Sequence, residues 1–277
     1  MTYTHREKIS VITINLNNAE GLRRTLDSVF RQTTHDFELV VVDGASTDGS
    51  VELIHTHADR IDRWVSEPDG GIYNAMNKAV AMATGEYVIF MNSGDTFYED
   101  DVLARVIPQL KGKDIYVGDL HRPGKRKKFV KAPEEVYFHY IITRTLSHQA
   151  AFIRRQRLLD QPYNEENKIV SDWEWFFREL VFSDATYERL NLCVATFDPS
   201  GISSLKEMES VRLEEMERVR EKLIPSRLRK ALIGNTRYER KIMYGMQQSS
   251  VLRRDMIMLR NMLKLLLHDL WHGLCRR

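Results

Sequence analysis

The stretch Tyr87-Val88-Ile89-Phe90-Met91-Asn92-Ser93-Gly94-Asp95 decides the fold. A short apolar and aromatic run, residues 87–91, ends abruptly in a polar turn with one carboxylate. Runs of this length read as strands buried on both faces, as in a parallel sheet sandwiched by helices. A core has no use for Asn, Ser, Gly and Asp at the strand's carboxyl end. Ligands of open α/β sheets bind at that end, which makes Asp95 the first candidate for holding a metal or phosphate.

Working outward, the first hundred residues alternate between strand and helix patterns. Residues 9–15 and 37–43 read as strands and 61–66 as a weaker one. Leu22, Leu26, Val29 and Phe30 repeat at helical spacing. Helices are also expected over 49–57, after Ser46-Thr47-Asp48, and over 72–83, closed by Gly85. The alternation predicts an α/β fold, a mainly parallel sheet with helices on both faces. After residue 100 the pattern loosens. Residues 102–110 and 171–182 read as helices and 115–120 and 147–153 as strands. Residues 186–197 read as an edge or return strand, and the basic run 125–128 as a solvated turn. Pro199-Ser200-Gly201 opens a joint, and two amphipathic helices follow. One carries Met208, Val211, Met216, Val219 and Leu223; the other spans 251–274. This gives a domain over 1–204, in two halves (1–100 and 101–204), and a C-terminal helical region over 205–277; what the halves do waits on the motifs.

Charge divides the chain in the same way. Residues 225–277 hold 12 Lys and Arg against 3 Asp and Glu, while the remainder carries seven net negative charges. The basic tail suggests an anionic partner. Its last helix sets Met256, Leu259, Leu263, Leu266, Leu270 and Trp271 on one face, with too many charges elsewhere to span a bilayer. It suits a membrane interface, and equally packing on the body or on a second subunit. Cys193 and Cys275 have no paired spacing, and residues 1–8 do not look like a signal peptide. Both point to a cytoplasmic protein. His268 and His272 lack companion ligands for zinc, and residues 118–125 depart from the P-loop spacing.

Four polar clusters close the predicted strands: residues 13–18, 43–49, 66–78 and 92–95. Parallel strands put all four on one edge, where they converge on one crevice. The candidates for binding there are Thr13, Asn15, Asn17, Asp43, Glu67, Asp69, Asn77, Lys78, Asn92, Ser93 and Gly94, with Asp95 beside them.

These clusters carry a resemblance. Asn15-Leu16-Asn17, Gln32, the 43–49 and 67–78 runs, Ala83-Thr84-Gly85, Asn92-Ser93-Gly94-Asp95, Ser147-His148-Gln149 and Ser171-Asp172-Trp173-Glu174 stand in the order of the family 2 inverting glycosyltransferases of GT-A fold. That family builds bacterial surface polysaccharides, and the resemblance covers residues 9–205. It implies that Asp43 binds the nucleobase, with Asn17 and Glu67 or Asp69 closing round base and ribose. It implies that Asp95 holds Mg²⁺ or Mn²⁺ on the diphosphate, that His148 helps bind metal or diphosphate, and that Asp172 is the general base. The family's Asp-x-Asp motif is incomplete, since its first position here is Asn92 or Ser93. The expected donor is a UDP-linked sugar. The expected acceptor is a glycan or lipid-linked glycan, with the inner membrane face as a natural place of work.

The chemistry asks for these residue types independently. A departing nucleoside diphosphate accumulates negative charge that a hard cation offsets. An acceptor hydroxyl needs a carboxylate to take its proton. Two rival readings remain: a nucleic-acid-binding module using the basic tail, and a catalytically inactive nucleotide-binding subunit. Three acidic loops and a tail without interleaved aromatics argue against nucleic acid as a partner.

Overall fold

A computed structural model describes residues 8–124, 128–201, 204–226 and 228–229. The chain divides into two compact units, Met1–Glu135 with Leu146–Glu215, and Val136–Thr145 with Met216–Arg277. The helix expected over 251–274 lies outside the described residues.

The first unit is built on a nine-stranded sheet. Strands β1 (Ile9–Asn15), β2 (Phe37–Asp43), β3 (Arg63–Ser66) and β4 (Tyr87–Phe90) form a parallel block, β3-β2-β1-β4. Helices α1 (Ala19–Phe30), α2 (Ser50–Thr56) and α3 (Ile72–Met82) connect them. Alternation sends Ile9, Val11, Leu39, Val41, Tyr87 and Ile89 to one face, where α1 and α2 lay Leu22, Leu26, Val29, Leu53 and Ile54 against them. On the other face, Phe90 meets the Tyr163 ring at 5.7 Å, and Tyr163 in turn meets Tyr73 of α3. Tyr87 to Phe90 are fully buried, so β4 is covered on both sides as its composition requires.

Antiparallel pairings enter past β4. Strand β5 is only Thr96–Phe97, α4 is Val102–Val106, and β6 (Ile115–Arg122) pairs with the short β7 (Lys128–Val130). Strand β8 (Ala151–Arg154) lies antiparallel to both β4 and β6, and β9 (Tyr187–Thr196) lies parallel to β6. The full order is β3-β2-β1-β4-β8-β6-β9-β5. Because only β8 is reversed between β4 and β9, strands β6 and β9 end on the same edge as β1 to β4. Two expectations change here. Strand β9 is not at the edge, since two-residue β5 flanks it, and residues 148–150 form a 3₁₀ turn before β8 begins.

In the second unit, α5 (Phe138–Thr143) gives up its Ile142 carbonyl to the Arg220 guanidinium, at 2.9 and 3.1 Å. In the first unit, α6 (Arg155–Asp160) and a loop lead to α7 (Ser171–Phe182). Glu215, on α8 (Met208–Leu223), accepts from the Lys168 and Ile169 amides at 2.8 and 3.0 Å and fixes that loop.

One buried charge ties the helix ends to the sheet. Glu38 of β2 is 1% exposed and accepts from the Ser10 hydroxyl and from the amides of Thr84 and Gly85. Burial opposes its ionisation, but these hydrogen bonds prevail and hold it below the usual carboxylate range. At Gly85, a Cβ would fall 2.7 Å from the Ser10 nitrogen and 2.9 Å from the Ile9 carbonyl carbon, so only glycine fits there.

Candidate active site

The four expected loops do stand on one edge. Asp43 knits three of them. Its Oδ1 accepts from Asn15 Nδ2 at 2.8 Å and from Ser46 Oγ at 2.6 Å. Its Oδ2 accepts from the Ser46 amide at 2.9 Å and from Ser66 Oγ at 2.7 Å. Burial alone would raise this carboxyl; the donors from Ser46, Ser66 and Asn15 bring it below its ordinary value. A carboxylate has about four lone-pair sites, so Asp43 uses its own in holding these loops together. Asn15 turns its amide nitrogen to Asp43, which leaves its buried Oδ1 without a partner among the described residues.

The neighbouring residues gather round the same turn. Asn17, at φ 49°, accepts from the Thr47 amide at 2.9 Å. Asp69 lies over Gly44 so closely that a Cβ there would come 2.6 Å from its Oδ2. Glu67 joins through its amide to the Asp43 carbonyl at 3.0 Å and is ion-paired with Lys78 at 2.9 Å. Thr13 and Asn77 act as struts. The Thr13 hydroxyl donates to the Met91 carbonyl at 2.9 Å, and Asn77 holds the Tyr163 backbone and Glu165.

Asp95 is 5% exposed and accepts from the Asp198 amide at 2.8 Å through Oδ1. Burial pushes its carboxyl up to about 6, although the Asp198 amide, the His148 charge and the Gln149 side chain favour its ionised form. Gly94, at φ 109°, lets Asp198 approach: a Cβ would stand 2.4 Å from Asp198 Oδ2. Asp198 is itself ion-paired with Arg24 at 2.7 Å. The Ser93 amide donates to the Ile14 carbonyl at 3.1 Å, which fastens this turn to β1.

Asp172, at the start of α7, is held at both oxygens. The Tyr73 hydroxyl donates to Oδ1 at 3.1 Å, and His148 Nδ1 donates to Oδ2 at 3.0 Å. Burial opposes protonation of His148, but the Asp172 hydrogen bond and the charges of Asp172 and Asp95 raise its value overall. Its Nε2 is buried without a partner among the described residues. That nitrogen can ligate a cation when the ring is neutral and donate to a phosphate oxygen when it is charged. Tyr73 sits in a run quoted for the resemblance, yet nothing local marks it as Asp172's partner. Asp198 obeys the same rule as the other loops, a carboxylate after a strand ending on this edge, but the direction of β9 is not legible locally.

We expect Tyr73→Phe to lower kcat about 10-fold through loss of one hydrogen bond to a charged acceptor, worth about 1.5 kcal/mol. Donor KM should stay near the wild-type value. Steady-state kinetics with donor and acceptor varied separately would show this, and an unchanged kcat would remove Tyr73 from the machinery.

No group of three or more His, Cys, Asp or Glu that could hold a metal occurs among the described residues. Yet Asp95 is a buried carboxylate, and His148 Nε2 and Asn92 Oδ1 are buried polar atoms without partners among the described residues. Mg²⁺ commonly binds through one or two protein carboxylates, with substrate phosphates and water completing the shell. The set fits an ion of that kind.

The fold and this edge define an α/β protein with its carboxylate-bearing loops gathered at one end of the sheet, and comparison with known proteins names the class. The model of glycosyl transferase family 2 matches residues 10–179, and the chain belongs to that family. A PGL/p-HBAD biosynthesis glycosyltransferase of Mycobacterium bovis (strain BCG / Pasteur 1173P2) is 33% identical over 199 residues, covering 69% of this chain and 77% of its own. A glycosyltransferase of Mycobacterium tuberculosis (strain CDC 1551 / Oshkosh) is 32% identical over 225 residues, covering 75% of this chain and 81% of its own. Among solved structures, the mannosyltransferase PcManGT from Pyrobaculum calidifontis in complex with GDP-Man and Mn²⁺ superposes with a TM-score of 0.62 at 18% identity, over 95% of this chain and 81% of that one. S. aureus TarS 1–349 in complex with UDP gives 0.59 at 20% identity, over 92% and 70%. The enzyme is therefore a glycosyltransferase of GT-A fold. No helix among the described residues is long and apolar enough to cross a membrane.

Proposed function

We propose that this enzyme transfers a sugar, with inversion, from a UDP-linked donor to a hydroxyl of a glycan or lipid-linked glycan. The observation that carries this reading is Asp172, pinned at both oxygens by Tyr73 and His148 at the site edge of the sheet. A carboxylate so held is a preorganised base. As the acceptor oxygen bonds to the anomeric carbon, its proton passes to Asp172 and the bond from that carbon to the diphosphate oxygen breaks. One displacement of this kind inverts the centre.

The chain's own residues prepare that step. The Asp43 organised pocket offers Asn15 Oδ1 as an acceptor for an N–H edge, such as N3–H of uracil, while Asn17, Glu67 and Asp69 enclose base and ribose. Asp95, Asn92 and His148 would hold a divalent ion, which when bound would offset the charge building on the leaving diphosphate. Gly94 and Ser93 shape the turn that presents Asp95. A cytoplasmic site at the inner membrane face would confine enzyme and lipid-linked acceptor to one surface, with the basic C-terminal region as the contact.

Thermal-shift screening of UDP-, GDP- and dTDP-sugars, with and without Mn²⁺, tests the donor class. We expect a UDP-sugar with Mn²⁺ to raise Tm most, because a ligand bound only by the native state stabilises it. NMR of the product's anomeric proton then reads the stereochemistry. Retention of the donor configuration would overturn the mechanism.

A further inference from the structure

We infer that Tyr98, His121 and Phe129 form a stacking platform for a carbohydrate ring of the acceptor, an inference that rests on the glycosyltransferase reading above. The three rings touch one another. Tyr98 and His121 have centroids 5.5 Å apart, Tyr98 and Phe129 5.8 Å, and His121 and Phe129 5.2 Å. Yet Tyr98 is 37% exposed and Phe129 44% exposed. Rings that pack together and still face solvent are poorly explained as core.

Their place in the sheet says what they could serve. In the β6–β7 pairing, Leu120 stands opposite Val130 and both pack on the α1 side, in the cluster that includes Tyr116. Alternation then puts His121 and its partner Phe129 on the opposite face. That is the face of Phe90 and Tyr163, where α3 and α7 bring Tyr73 and Asp172. His121 also lies at the carboxyl end of β6, on the edge that bears the site. Along that edge the order is the proposed nucleotide loops at β3, β2 and β1, then Asp95 and His148 beside β4 and β8, then His121 on β6 with Phe129 on its partner β7 and Tyr98 just past β5. With the donor entering from one side, the opposite side of the base is where an acceptor comes in.

The side chains suit a sugar. Carbohydrates present a C–H face that lies against aromatic rings, and hydroxyls round their rim that need partners. His121 supplies one: Nδ1 faces Thr196 Oγ1 at 3.3 Å, while Nε2 is buried without a partner among the described residues. A hydroxyl from a stacked sugar would satisfy it.

The test uses the full-length enzyme, a UDP-sugar with Mn²⁺, and a panel of p-nitrophenyl glycosides as acceptors. We expect Tyr98→Ala and Phe129→Ala each to raise acceptor KM about 10-fold, with kcat moving less than about 2-fold. Phe129→Trp and Tyr98→Phe, which keep a ring, should stay near wild type. The rise in Tm caused by UDP with Mn²⁺ serves as the control for folding and donor binding. Acceptor KM within about 2-fold of wild type in both alanine variants would overturn the platform, as would ring-keeping variants as damaged as the alanine ones. A wild-type enzyme that turns over no nucleotide sugar would instead overturn the glycosyltransferase reading, and the platform with it.

Discussion

Asp172→Asn is expected to abolish transfer, with kcat falling on the order of 10²–10⁴-fold and Tm staying within a few degrees of wild type. The asparagine keeps the shape of the side chain and can still accept from Tyr73 through its oxygen. It cannot take a proton from the acceptor hydroxyl. Asp172 is also His148's partner, so the variant should weaken the hold on that ring as well. The check is rate and fold together: circular dichroism and Tm on the purified variant, then transfer kinetics at saturating donor. A folded variant with wild-type turnover would remove Asp172 as the base, and neighbouring Glu174 is no ready substitute. It is 2% exposed and already bound to Arg178, Asn164 and Asn167.

Asp95→Asn should produce a split result, loss of activity with gain of stability. The unfolded carboxyl titrates near 3.8, while burial lifts the folded one to about 6. The folded state therefore holds a proton that the unfolded state releases between those values. Stability falls as pH rises through that window, and the cost is fully present above about pH 6. Asparagine removes it, so at pH 7.5 the variant should be more stable by about 1–3 kcal/mol, visible as a higher Tm, and the difference should shrink toward pH 4. Transfer should fall at least 100-fold, and the extra stabilisation that Mn²⁺ gives with UDP should disappear. A variant that is active, or less stable at pH 7.5, would show that Asp95 is a structural turn residue.

How much of this was legible beforehand depends on how local each signal is. The parallel block was, because β1, β2 and β4 are apolar runs whose length and punctuation suffice. Gly85 does not close its helix as expected: α3 ends at Met82 with Ala83 as an extended cap, and the demand for glycine at 85 comes from the backbone of β1 against it. The shared edge of the four loops followed from strand direction alone, and the Asp69 side chain and the Glu67 amide do lie beside the Asp43–Gly44 turn. What stayed hidden was set by distant pairing. The reversal of β8, the interior place of β9 and the two-residue β5 depend on partners far away in sequence. Short helices such as α5 and α6 show less than two turns of periodicity. The roles inside the site were hidden for the same reason. Nothing near Tyr73 shows that its hydroxyl meets a carboxylate 99 positions away, and nothing near Asp43 shows that its lone pairs are already taken.

The reversal of β8 has a consequence of its own. It is the seam between two blocks of parallel strands, and it meets β4 at only two residue pairs, Tyr87 with Arg154 and Val88 with Ile153. A strand running backwards begins where its neighbours finish, so His148 reaches the working rim from the front of its strand while Asp43 and Asp95 arrive from behind theirs. The two blocks of parallel strands thus meet within the sheet at those two pairs, while the Asp198 amide on Asp95 and the Arg24–Asp198 ion pair tie them at the working rim. A substitution at either end of those contacts is therefore felt on both sides of the reversed strand.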